Sequence, residues 1–166
     1  MTEQKTNQIR VRVLFFGGAK DTVGTNSLGL SLDSPATLAT ASATLLDKFP
    51  ELKVLVLESG GGWIGYWLDR IDAVYGHTFI GDRVPLEHKP SDYFRERIWI
   101  SCDPDERMIP ALAERYGVER FLWASDFPHA DHTPEYIHDL NELVGMFRPD
   151  DQAKFIGGNA RALFKL

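Results

Sequence analysis

The stretch Phe121-Leu-Trp-Ala-Ser-Asp-Phe-Pro-His-Ala-Asp-His132 is an apolar run that stops abruptly in acids and imidazoles. Phe121 to Ala124, bracketed by Gly117 and Pro128, has the length and aromatic content of a strand covered on both faces. Ser125 and Asp126 then fall where parallel α/β sheets place their chemistry, just past the C-terminal end of a strand. An aspartate there can ligate a metal or accept a proton, and His129 and His132 add two imidazoles within six residues. The residues alone leave a second account open, in which Asp126 caps the following turn and the histidines lie on a solvated loop.

From Lys53 onward, strand patterns alternate with helical ones, as in βαβ units around a parallel sheet. Val54 to Leu57 is a short apolar strand ending in Glu58-Ser-Gly-Gly-Gly62. Trp63, Ile64, Trp67, Leu68, Ile71, Val74 and Tyr75 recur at helical spacing and predict an inward-facing stripe. The glycines can cradle a phosphate on bare N–H groups or simply permit close packing, and the nucleotide-binding spacings are absent. Glu58, at a strand's C-terminal end, stands where a general base or metal ligand would. His77 and His88 fall on a polar connection and are expected at the surface. Ser91 is expected to cap a short turn before the strand Ile98-Trp-Ile-Ser101, and Cys102 to be a small core residue. A helix is predicted near Pro110, stopped by Gly117. Another starts at Thr133-Pro134, its stripe formed by Ile137, Leu140 and Val144 with His138 structural, and a last helical piece from Pro149 is broken at Gly157-Gly158-Asn159.

Ahead of this lies a different pattern. Residues 1–8 are polar and expected to fray, residues 9–16 and 27–32 read as two hairpin-paired strands joined by a turn over 19–23, and Leu38, Ala41, Leu45 and Phe49 form one helical stripe. At 166 residues and 43% apolar content the chain is one ordinary domain or two small ones. A net charge of −6 and a pI near 5.3 speak against a nucleic-acid or anionic-membrane surface and favour small-molecule partners. One cysteine excludes an intrachain disulfide and suits a reducing cytoplasm, and no signal peptide or membrane-length apolar run is expected.

Two resemblances organise these segments. Val11-Arg-Val-Leu-Phe-Phe-Gly-Gly-Ala-Lys-Asp-Thr-Val-Gly24, with Pro35-Ala-Thr-Leu38 and Phe49-Pro-Glu-Leu52, resembles the small sulfur-carrier subunit of molybdopterin synthase, a ubiquitin-like β-grasp protein. That family carries sulfur on a free C-terminal Gly-Gly, whereas this sequence ends Phe-Lys-Leu166, so a scaffold role is expected rather than sulfur transfer. Four later segments resemble the amidohydrolase-related metal-dependent hydrolases, the group containing aminocarboxymuconate-semialdehyde decarboxylase. They are Leu57-Glu-Ser-Gly-Gly-Gly-Trp-Ile-Gly-Tyr-Trp-Leu-Asp-Arg70, Ile98-Trp-Ile-Ser101, Leu122-Trp-Ala-Ser-Asp-Phe-Pro-His129 and Gly158-Asn-Ala-Arg-Ala-Leu-Phe164.

Together the two resemblances imply an α/β fold: a partial (β/α)8 barrel made of the last three βα units, from the second, preceded by a ββα β-grasp-like segment, from the first. The implied organisation is a tail at 1–8, the β-grasp-like segment at 9–52 and the barrel portion at 53–166. The second resemblance implies hydrolysis or decarboxylation of a small carboxylate or carbonyl compound, with a divalent metal, zinc or manganese. Asp126 matches the aspartate at the end of the last strand that binds the metal and handles a proton; Glu58 is a second acid, and Ser59, Trp63 and His129 are the substrate-binding candidates. The sequence departs from the family in several places. Arg10-Val-Arg12 is unlike the first-strand His-x-His or Glu-x-His pair, no fifth-strand histidine is found, and Ser59 stands where decarboxylating members have histidine. A catalytic zinc usually takes about three protein ligands and a full barrel about 250 residues. The expectations from other classes are a folded, inactive unit that binds or supports, and a sulfur-carrier-like partner of a larger subunit. About five strands are expected, with the hairpin extending the parallel sheet or identical chains pairing to cover its open edges.

Overall fold

A computed structural model describes residues 8–15, 17–34, 38–76, 86–125 and 135–166. The chain divides into two compact units, Met1–Lys53 with His77–His88, and Val54–Gly76 with Lys89–Leu166.

In the first unit, β1 (Gln8–Leu14) runs antiparallel to β2 (Ser27–Asp33), with Gln8 opposite Asp33 and Leu14 opposite Ser27. The connection expected as a turn is a helix, α1 (Gly17–Val23), which Gly24 ends at φ +76 while its N–H donates to the Lys20 carbonyl at 2.8 Å. A left-handed residue is the ordinary way to stop a short helix, and glycine adopts that conformation without steric cost. Leu28, Leu30 and Leu32 alternate onto one face of β2, where Leu30 and Leu32 are buried with Ala41 of α2 (Leu38–Lys48). Phe15 meets Phe49 edge to face at 6.3 Å. Gln8, expected in a frayed tail, begins β1, and residues 1–7 are outside the described residues. His88 is exposed as expected, whereas His77 lies outside the described residues.

The second unit is built on β3 (Val54–Val56), β4 (Ile98–Cys102) and β5 (Phe121–Trp123), a parallel sheet in the order β3-β4-β5. Val56 pairs with Ile100, and Cys102 pairs with Trp123. Four residues of the central strand, Trp99 to Cys102, are buried, as a doubly covered parallel strand requires. Among the described residues the strands make two sheets where one extended sheet was expected: β1 pairs with β2, covered by their own helix, and β3, β4 and β5 pair with one another.

Around the parallel sheet lie α3 (Ile64–Tyr75), α4 (Pro90–Arg97), α5 (Ile109–Tyr116), a 3-10 turn (Val118–Arg120), α6 (Tyr136–Gly145), α7 (Pro149–Ala153), a π-helical turn (Lys154–Gly158) and α8 (Asn159–Phe164). One core joins Ile64, Leu68, Phe94, Ile100, Ile109, Phe121, Leu143 and Phe155. Phe94 packs edge to face on Tyr116 and Phe121, and Phe147 stacks on Phe155 at 4.5 Å.

Several expectations need correction here. The buried side of α3 is Ile64, Gly65 and Leu68, while Trp63 and Trp67 are 40% and 50% exposed. A Cβ on Gly65 would lie 2.5 Å from Leu112 Cδ2, so the helix rests on its glycine and turns the tryptophans away from the core. Ser91 does not cap: Lys89 holds the N-cap position, and Ser91 is buried inside α4 with its N–H donating to Asp72 Oδ1 of α3 at 2.9 Å. His138 is exposed and 3.2 Å from Glu142, and Ile137 is also exposed. The break expected at Gly157-Gly158 is a π turn that runs directly into α8. Among the described residues no helix is long and apolar enough to cross a membrane.

Candidate functional site

Because β3, β4 and β5 are parallel, their C-terminal ends lie along one edge of the sheet, and the residues just beyond Val56, Cys102 and Trp123 share that edge. From β3 come Glu58 and Ser59, from β4 Asp103 to Glu106, and from β5 Ser125.

Glu58 is exposed and has φ 55, a left-handed conformation that costs a residue with a Cβ roughly 1–2 kcal/mol. The surrounding bonds impose it. Its N–H donates to Ser101 Oγ on β4 at 3.3 Å, and the next turn is pinned from β4's side by Glu106. The Glu106 carboxylate accepts from Gly61 N–H at 2.9 Å on Oε1 and 2.8 Å on Oε2, from Gly62 N–H at 2.7 Å, and from Asp103 N–H at 2.9 Å. The acceptor expected of a ligand in the glycine turn is thus one of the chain's own side chains. Ser59 Oγ donates to the Gly60 carbonyl at 3.2 Å, and Trp63 Nε1 donates to the carbonyls of Ser59 and Gly60, each at 3.0 Å. Glu58, Ser59 and Trp63 are therefore brought together on one short turn.

Cys102 ends β4 beneath this turn, buried and free. Burial, reinforced by the negative charges of Glu106 and Asp103, pushes its thiol well above the ordinary cysteine range, so it stays protonated and inert near neutral pH. A Cβ on Gly61 would stand 2.5 Å from its sulfur, which fixes glycine at that position.

Asp126, His129 and His132 lie outside the described residues. Among the described residues no three of His, Cys, Asp and Glu gather to hold a metal ion. Glu106 was missed in the sequence, although a signal was there. Asp103-Pro-Asp-Glu106 has the spacing at which a glutamate folds back on the N–H three residues earlier, and three bare glycines beside a strand end call for an acceptor.

Three comparisons bear on this arrangement. The family model described as Amidohydrolase matches residues 27–166, beginning at the first residue of β2 and taking in α2 and the whole parallel sheet. No curated protein sequence matches. Among solved structures, an amidohydrolase from Mycobacterium avium subsp. paratuberculosis K-10 superposes with a TM-score of 0.62 at 25% identity, over 76% of this chain and 32% of that one. A 5-carboxyvanillate decarboxylase from Sphingomonas paucimobilis gives 0.58 at 30% identity, over 75% of this chain and 37% of its own. A dihydroxybenzoic acid decarboxylase from Polaromonas sp. JS666, with bound manganese and the inhibitor 2-nitroresorcinol, gives 0.54 at 27% identity, over 75% and 37%. The chain thus spans about a third of the length of these solved relatives. With a family match over most of its length and a parallel sheet whose strand ends share one edge, the chain belongs to the amidohydrolase family.

Proposed function

We propose that this chain contributes the last three βα units of a (β/α)8 barrel and takes part in metal-dependent decarboxylation of a small carboxylate, with hydrolysis as the related alternative. The observation that carries this is Glu58, an exposed carboxylate held in a left-handed conformation at the C-terminal end of a parallel strand. Strain of this kind persists where the surroundings impose it, and it gathers at functional sites. Two decarboxylases of aromatic acids superposing at 27% and 30% identity support the reaction class, and the manganese in one of them supports a divalent metal.

In this account Asp126 supplies a metal ligand and a proton acceptor, with further ligands from outside the described residues. Glu58 moves a proton at the strand edge, while Ser59, Trp63 and His129 bind the substrate. The bound metal would polarise a substrate oxygen. The residues 9–52 serve as a scaffold of β-grasp type.

The test is loss of 5-carboxyvanillate absorbance with manganese supplied, for the chain and for Glu58→Asn. Asparagine tolerates the left-handed conformation but cannot exchange a proton, so the variant should match or exceed the parent in stability and lose at least about tenfold in rate. Equal rates in the two proteins, or no turnover by either, would overturn the assignment.

A further inference from the structure

Between β3 and α3 the backbone of Gly60-Gly61-Gly62 is bare of side chains, and what fills the space is a carboxylate. The Gly61 N–H reaches both Glu106 oxygens, Gly62 N–H reaches Oε1, and Asp103 N–H reaches Oε2, all within 2.7–2.9 Å. These are charge-assisted lengths, and converging backbone N–H groups of this kind make an anion-binding concavity. The fit is close: a Cβ on Gly60 or Gly62 would stand 3.0 or 3.1 Å from Oε1. Gly60 also has φ +61, which aims the turn at the acid.

We propose that the Gly60–Gly62 turn, completed by the Asp103 N–H, is a receptor for one carboxylate whose resident ligand is Glu106, and that this internal ligand positions Glu58, Ser59 and Trp63. The inference does not depend on the decarboxylase assignment, because it concerns the turn's own ligand. Glu106 is a positioning residue that acts on the strand-end edge through the turn. Cutting its side chain back to a methyl group exposes three backbone N–H groups around a gap of carboxylate size. A small monocarboxylate from solution then completes what Glu106 supplied.

The test uses Glu106→Ala and Glu106→Gln in the full chain, with sodium formate against sodium chloride at equal ionic strength. In chloride, Glu106→Ala should melt below the parent, and formate should raise its Tm progressively with concentration, as binding to the native state requires, while leaving the parent unmoved relative to chloride. Trp63, whose indole is bonded to the turn's carbonyls, gives a second readout. Its emission, taken as the difference from the Trp63→Phe form of each protein, should shift in Glu106→Ala and return with formate. Glu106→Gln fills the same volume but sets an NH2 group against N–H donors, so it should lose stability and show no formate rescue. Should Glu106→Ala fail to accumulate folded, Glu106→Gln decides alone. Parent-like stability of Glu106→Gln, or a Glu106→Ala protein that responds to formate and chloride alike, would overturn the proposal.

Discussion

Asn159 shows how a single side chain closes the parallel-sheet unit. It is buried at the start of α8, and its Nδ2 donates to the carbonyls of Val118 at 2.7 Å and Phe121 at 2.8 Å, tying the chain's last helix to the entry of β5. Apolar truncation would strand those acceptors, so Asn159→Ala should cost about 1–3 kcal/mol, seen as a lower urea midpoint with unchanged slope. At this scale the sequence was partly legible. The Gly158-Asn-Ala-Arg segment stood out through its resemblance, and the position of Glu58 at a strand end followed from pattern alone. The left-handed backbone at Glu58 was not legible, because nothing in Leu-Glu-Ser marks it; the bonds from Ser101 and the glycine turn impose it from another strand. Glu106 was overlooked for a similar reason: only Asp103 is near it in sequence, and its glycine partners lie about 45 positions away.

Among elements, the strands were easiest to foresee, and each described strand overlaps a stretch whose alternating or apolar pattern predicts one. Helix faces were harder. The apolar period in α3 marks a helix without saying which of its aromatic residues face the core, and Gly65 against Leu112 decided it. The turn at the C-terminal end was also unexpected: it stays helical with a wider π geometry, and charges fasten it. Asp151, buried, accepts from Arg148 at 2.8 Å and from Lys154 at 3.2 Å, and Lys154 reaches Glu119 of the 3-10 turn at 3.0 Å. The Arg148 hydrogen bond, helped by Lys154, holds the Asp151 carboxyl below its ordinary range even though burial opposes this, and Lys154 does the same for Glu119. As the pH falls below about 4 the unfolded chain takes up protons first, so these contributions to stability are present above that pH and drain away beneath it. Asp151→Asn should therefore be less stable at neutral pH and should lose less on acidification, as checked by thermal melts between neutral pH and pH 3.

For the whole molecule, a family match over residues 27–166 coexists with a length of about a third of the solved relatives. The parallel sheet and its C-terminal edge were readable from strand-helix alternation, since that pattern leaves few topologies. The grouping of strands into two sheets was not, because pairing between distant strands depends on which apolar faces are already covered. The decisive question is whether the edge that presents Glu58 works around a metal held by Asp126. Metal content per chain, measured by elemental analysis after dialysis of the protein and of Asp126→Ala, tests this most directly. The account predicts near one equivalent of manganese or zinc in the parent and its loss in the variant. An equal content in both, or no metal in either, would contradict it.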